Sequence, residues 1–190
     1  MPIEGEVQED ELDEDERDRD PEVEVRRRAA LAQIRQYPDA VLRMRANEVE
    51  QFDDHLARLA ERMGRLMNDA RGVGLAATQL GVLQRLFVFR GQDAEPTAVV
   101  NPEITSRSRA TAVADEGCLS IQYVLVPVER NVAVTLEGRG LTGEELRLEL
   151  EEQEARVVQH ELDHLDGVLM LERTDQQSRR EALAVLRRRL

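Results

Sequence analysis

Residues 157–167 read VVQHELDHLDG and hold two of the chain's three histidines, His160 and His164, with Glu161 directly after the first. An α-helix turns about 100° per residue, so side chains four positions apart share one face. His160 and His164 can therefore reach a single metal ion. Glu161, one step round the helix, then stands beside that ion as a general base, which is the logic of the His-Glu-x-x-His zinc pattern. The competing reading is an ordinary charged helix with two surface histidines. A catalytic site of this type uses a third protein ligand and keeps one position for water. The extended pattern with a third histidine fails here, because Gly167 fits but the last position is Met170. A downstream glutamate fits poorly, since Glu181 lies nearest and the chain ends soon after it. The remaining soft donor is Cys118, the only cysteine, in the segment ADEGCLS. A lone cysteine forms no internal disulfide, which fits a reducing compartment, and its thiolate suits zinc or ferrous iron. Lone cysteines more often pack inertly. Here Gly117 gives the backbone room to turn just before the thiol, within a β-rich run, so a Cys-His-His site open to water is the sharper expectation.

Residues 71–82, RGVGLAATQLGV, form a second stretch with chemical potential. Gly72 and Gly74 permit close approach, Ala76 and Ala77 leave space beside them, and Gln79 offers an amide donor to that space. The segment lacks the further glycine and the preceding strand of a dinucleotide loop. It follows a helix that ends near Asn68–Ala70, which argues against a phosphate cradle.

The segments GVGLAATQ, EGCLS and HELDH, in this order and at these separations, resemble the three motifs of the peptide deformylases. The resemblance spans roughly residues 33–174 and includes YPDAVLR at 37–43 and the FDDHLARLAERM helix. It implies hydrolysis of the N-formyl group from the initiating methionine of a new polypeptide, with release of formate. It implies one divalent ion, Fe2+ or Zn2+, held by Cys118, His160 and His164, with Glu161 as the acid/base. By the same resemblance Gln79 and the backbone N–H of Leu119 stabilise the oxyanion, the Gly74 backbone pairs with the bound peptide, and Glu116 and Val157 border the pocket for its first side chain. The chain departs from the family pattern at Gln122, where proline is common, at Leu125, where arginine is frequent, and at Gln153, where the usual residue is apolar. These departures concern the preferred peptide rather than the chemistry. A peptidase acting on internal bonds and a non-catalytic binding protein are the two other readings, and the intact ligands and Glu161 weigh against the second.

Elements must position these residues. Leu56, Leu59, Met63, Leu66 and Ala70 mark one face of a helix that Asp53 can cap, with His55 off that face. RLFVF at 85–89, TAVVNPEI at 97–104 and the pair NVAVTLEG and EELRLELE, joined through RGLTG, have strand character. The predicted fold is α+β, with mainly antiparallel strands packed around a central metal-binding helix. Three segments are expected: a disordered acidic extension over 1–26, a catalytic domain over 27–176 and a basic C-terminal helix over 177–190.

Charge supports that division. Residues 1–24 carry thirteen acidic residues against Arg17 and Arg19, so most of the net charge of −13 belongs to the tail. Such a segment has little to bury. At the other end SRREALAVLRRRL carries a net +4, with Leu183, Leu186 and Leu190 at helical spacing. Deformylases meet their substrate at the ribosome, and a basic C-terminal helix is similar to one that some members dock there, so ribosomal RNA is an expected contact. With 190 residues and no apolar run of about 18, one core and no membrane span are expected. The acidic N-terminus has no apolar signal core, which predicts a cytoplasmic protein. A monomer is expected.

Overall fold

The computed structural model describes residues 20–91 and 95–189. The acidic residues 1–19 lie outside the described residues. Helix α1 (Pro21–Leu31) begins inside the segment 1–26 expected as a disordered extension. Its start has a local cause: Asp20 accepts from the Glu22 N–H, Pro21 occupies the first turn, and Arg28 bonds Glu24 one turn back. Ala30 and Ile34 then anchor it in the core.

Helix α2 (Asp54–Asp69) is capped by Asp53 as expected, the carboxylate accepting from the His55 and Leu56 N–H groups at 2.9 and 3.1 Å. Its buried face is Leu56, Ala60, Met63, Leu66 and Met67, with Leu59 only half-buried at its edge. His55 is exposed, as its position off the apolar stripe predicts.

Five strands form an antiparallel sheet in the order β1 (Gly74–Ala76), β2 (Leu86–Phe89), β3 (Thr97–Arg107), β6 (Ala133–Arg139), β7 (Glu145–Glu151). The hairpin of β4 (Thr111–Cys118) and β5 (Ile121–Asn131) forms a second, two-stranded sheet. Strand β2 is buried along its whole length because both faces are covered. Leu86 and Val88 face a core shared with α1 and α2, whereas Phe87 and Phe89 face a core built on helix α3 (Glu152–Leu165). The same period of two turns Leu75 of β1 toward the α2 side and Ala76 toward α3. Gly74 is two residues from Ala76 and so also faces α3.

Helix α3 is enclosed by the strands, burying Ala155, Val157, Val158 and Leu165 together with Gln159, Glu161, Asp163 and His164. This is the central helix expected from the sequence. A buried helix with so many polar side chains requires partners for them. Helix α4 (Gln176–Arg187) seats Ala182 and Leu186 in a third core with Val124, Val126 and Val128 of β5. The C-terminal helix thus packs on β5, with Leu183 half-buried and Arg179, Arg180, Arg187, Arg188 and Arg189 exposed. No helix among the described residues is long and apolar enough to cross a membrane.

Candidate metal centre and active site

Cys118 ends β4, and a two-residue turn, Leu119–Ser120, leads into β5. Glu116 pairs with Val126 while Cys118 pairs with Ile121, so β5 bulges through Gln122–Leu125, with Tyr123 at φ 71°. The turn is clamped from outside. Gln36 donates to the Leu119 carbonyl at 3.0 Å and accepts from Gln122 at 2.9 Å. Gln122, one of the residues that depart from the family pattern, therefore braces the segment carrying the thiol.

Facing the hairpin, α3 presents His160 and His164 with ring centroids 4.9 Å apart. One donor atom from each of Cys118, His160 and His164 lies within 4.8 Å of the others. His164 Nε2 stands 3.2 Å from Cys118 Sγ. His160 Nδ1 lies 3.0 Å from Glu116 Oε2. Burial pushes the Glu116 carboxyl up, but the hydrogen bonds from His160 and Arg130 outweigh it and bring its pKa to about 2. An ionised Glu116 accepts a hydrogen bond from the Nδ1–H, which fixes the ring and leaves Nε2 as the ligand atom available to the cluster. Burial opposes charging of His160, yet the Cys118 sulfur and Glu116 hold its pKa well above the ordinary histidine value. Burial and the neighbouring His160 push His164 well below it. One sulfur and two imidazole nitrogens converging at this range match the donor set and count of an open zinc or ferrous site. Glu161 Oε2 is buried without a hydrogen-bond partner, a further sign that this corner is arranged for a ligand.

Glu161 lies beside the cluster, 4% exposed, and burial raises its pKa to about 7. Gln79 sits in a short 3-10 turn (Ala77–Leu80) after β1. Its Oε1 accepts from the Ala76 N–H at 2.8 Å, which orients the amide so that Nε2 faces Ser120 Oγ at 3.0 Å and Cys118 Sγ at 3.6 Å. Gly74 lies on the outermost strand of the sheet. The Arg90 N–H donates to the Val73 carbonyl at 2.8 Å, and bonded pairs alternate along an antiparallel ladder. Gly74, one residue on, therefore turns its own N–H and carbonyl to the open edge. A Cβ at Gly74 would overlap Glu161 Oε1, and one at Gly72 would lie 2.7 Å from Leu119 Cδ1. At Gly74 the clash extends along the Glu161 side chain to its Cγ, whereas at Gly72 only the tip of Leu119 would have to move. Gly74, Gln79, Glu116, Cys118, Leu119, Val157, His160 and Glu161 all line one cleft of about 650 Å³, whereas His164 is not part of its lining and meets the cluster from the buried side of α3.

The family model for polypeptide deformylase matches residues 31–180. The chain belongs to the peptide deformylase family. The peptide deformylase of Thermotoga neapolitana is 46% identical over 140 residues, covering 74% of this chain and 85% of that protein. Peptide deformylase 1 of Corynebacterium glutamicum is 42% identical over 161 residues, covering 83% and 95%. Among solved structures, a Synechococcus elongatus peptide deformylase in complex with actinonin superposes with a TM-score of 0.76 at 35% identity, covering 80% of this chain and 85% of that one. This deformylase-family chain is accordingly a metal-dependent hydrolase that removes the N-formyl group from nascent polypeptides.

The candidate site rests on a charged layer that sequence reasoning missed. Arg130, 7% exposed, binds Glu116 through Nε and Nη2 at 2.9 and 3.0 Å and Asp163 through Nη1 at 2.6 Å. Arg156 adds a bond to Glu116 at 2.8 Å, and Arg173 reaches Asp163 at 2.5 and 3.0 Å. The signal was present in β5, where Arg130 falls on the same alternation as Val124, Val126 and Val128 and must be inward. An arginine on an apolar face demands carboxylate partners. Glu116 is thus tied into this layer as well as lining the cleft.

Proposed function

We propose that deformylation proceeds at the Cys118–His160–His164 corner, with Glu161 as the group that moves the proton. The observation that carries the reading is the convergence of three donor atoms within 4.8 Å beside a buried carboxyl whose pKa is about 7. An Fe2+ or Zn2+ ion held by Cys118, His160 and His164 would supply Lewis acidity to water and to the formyl oxygen. Glu161, buried beside the cluster, takes the proton of the attacking water and passes it to the leaving nitrogen as the carbon–nitrogen bond breaks, giving formate and a free amine. Gln79 Nε2 and the Leu119 N–H hold the oxygen where negative charge develops, each worth about 3 kcal/mol by the standard of other oxyanion holes. The open edge of Gly74 pairs with the peptide backbone as an added strand. Val157 and Glu116 border the pocket for the methionine side chain, the Glu116 charge being neutralised by Arg130 and Arg156 so that an apolar side chain meets no unpaired anion.

Incubation with a formylmethionyl tripeptide and with its unformylated counterpart tests this reading. Formate appears from the first, and neither is cut at an internal bond; internal cleavage of the unformylated peptide would favour a peptidase.

Gly74→Ala tests the close approach. The added Cβ overlaps Glu161 Oε1 and pushes the carboxylate out of line. Formate release is expected to fall by about 100-fold, and near-parental turnover would separate Glu161 from this position.

The exposed arginines of α4 support a ribosomal contact for a cytoplasmic, monomeric enzyme. Because Ala182 and Leu186 belong to the core, charge reversal is a cleaner test than deletion. Arg180→Glu with Arg187→Glu should lower ribosome co-sedimentation most at low salt, with a shallower salt slope. Unchanged co-sedimentation across the salt series would remove the helix from that role.

A further inference from the structure

The substrate cleft has one wall that the family match does not reach. Matching begins at residue 31, the last residue of α1, so Arg27 and the rest of that helix lie before it. Nevertheless Arg27 and Leu31 of α1 line the cleft, together with Tyr123 and Leu125 of the β5 bulge. The helix is held firmly there: Arg27 stands three and four residues before Ala30 and Leu31, on the face that packs into the α2 core. Its neighbours Arg26 and Arg28 are exposed, whereas Arg27 is half-buried. Its Nε is buried with no hydrogen-bond partner among the described residues, and Glu24 approaches its Nη1 only to 3.6 Å. A guanidinium presents five donors in a planar fork that matches a carboxylate, and here that capacity is largely unspent.

The direction of a bound peptide brings it to this wall. A peptide paired with the open edge at Gly74 has one way to continue, because Leu75, Ala76 and Ala77 are fully buried in the other. It runs past Val73 and Gly72 toward Arg71, all of which line the cleft together with Arg27. Side chains alternate along an extended peptide, so either the second or the third residue after the formyl group points at α1.

We propose that Arg27 is a specificity-determining residue of this cleft, reading an acidic side chain at the second or third position of the formylated peptide. The inference rests on the reading of the cleft as the deformylase substrate site. Arg27 does not touch the reacting atoms; it selects by charge. The helix that precedes the matched region thereby adds a selectivity that the family match itself does not carry.

The test uses metal-loaded full-length enzyme and formylmethionyl tripeptides with Glu, Gln or Lys at the second or the third position, at low salt. In the parental enzyme kcat/KM for Glu exceeds that for Lys by about tenfold at one of the two positions, the combined effect of one attraction and one repulsion at a half-exposed charge. The ratio is taken within each variant, so a general loss of activity cancels. Arg27→Gln brings the ratio to within about twofold, and Arg27→Glu inverts it. Arg26→Gln, on the same helix but off the cleft, keeps the parental ratio. A parental enzyme without preference, an Arg27→Gln ratio equal to the parental one, or an equal loss in Arg26→Gln would each overturn the proposal. Failure to release formate even from the Gln peptides would instead overturn the deformylase reading of the cleft, so the two failures are distinct.

Discussion

Glu161→Gln should retain the bound metal and the fold and lose at least about 100-fold in formate release, the usual contribution of a positioned general base. Glutamine is nearly isosteric, so the contact with Gly74 and the packing of α3 persist. The amide cannot accept the proton of the attacking water. Burial raises the Glu161 carboxyl to about 7 in the absence of an ion, and a carboxylate that takes a proton from water can return it to the leaving nitrogen. The result depends on no change in ligand set, because Cys118, His160 and His164 are untouched. The informative pair of readings is elemental analysis alongside kcat: full metal with more than about a tenth of the parental rate would remove Glu161 from the proton transfers.

Cys118→Ser should be still more damaging, because it acts on the ion itself. A thiolate is replaced by a neutral hydroxyl, a poor ligand for a borderline-soft cation, while the two histidines remain. The metal content after buffer exchange should fall below about a tenth of the parental value, with activity falling in step. The fold should persist, since Cys118 is only partly buried and ends a strand whose other pairings to β5 continue from Glu116 to Thr111. Undiminished metal in a folded Cys118→Ser protein would show that the thiolate is not a ligand.

What could be read from the chain were the local relations. His160 and His164 share a face because the helical period says so, Asp53 caps α2 by a bond two residues long, and β2 announces itself as a short apolar run. The fold class followed from these. The layer beneath the site was less legible, because its partners are distant in sequence. Arg130 meets Glu116 and Asp163 across separations of 14 and 33 residues that no local pattern encodes. Strand β4 is exposed along most of its length and shows no alternation, and Pro127 obscures β5. The three residues of β1 are too few to register as a strand inside a glycine-alanine segment, yet they set Gly74 against Glu161. Gln79 was singled out as a donor, but its orientation depends on a bond back to the Ala76 N–H that only the turn creates. Composition places residues 21–26 in the acidic tail although EVEVRRRAALAQI has helical character from Glu22, and the observed start at Pro21 depends on the Asp20 cap and on burial of Ala30 and Ile34 further along.

The most direct test of the account is an air-free titration of the metal-stripped enzyme with Fe2+ or Zn2+, following formate released from a formylmethionyl tripeptide. The account predicts that release starts from baseline, rises in proportion to added ion and breaks at a single ion per chain, and that His164→Ala abolishes the break. Parental release from the stripped enzyme, or an unchanged break in His164→Ala, would contradict it.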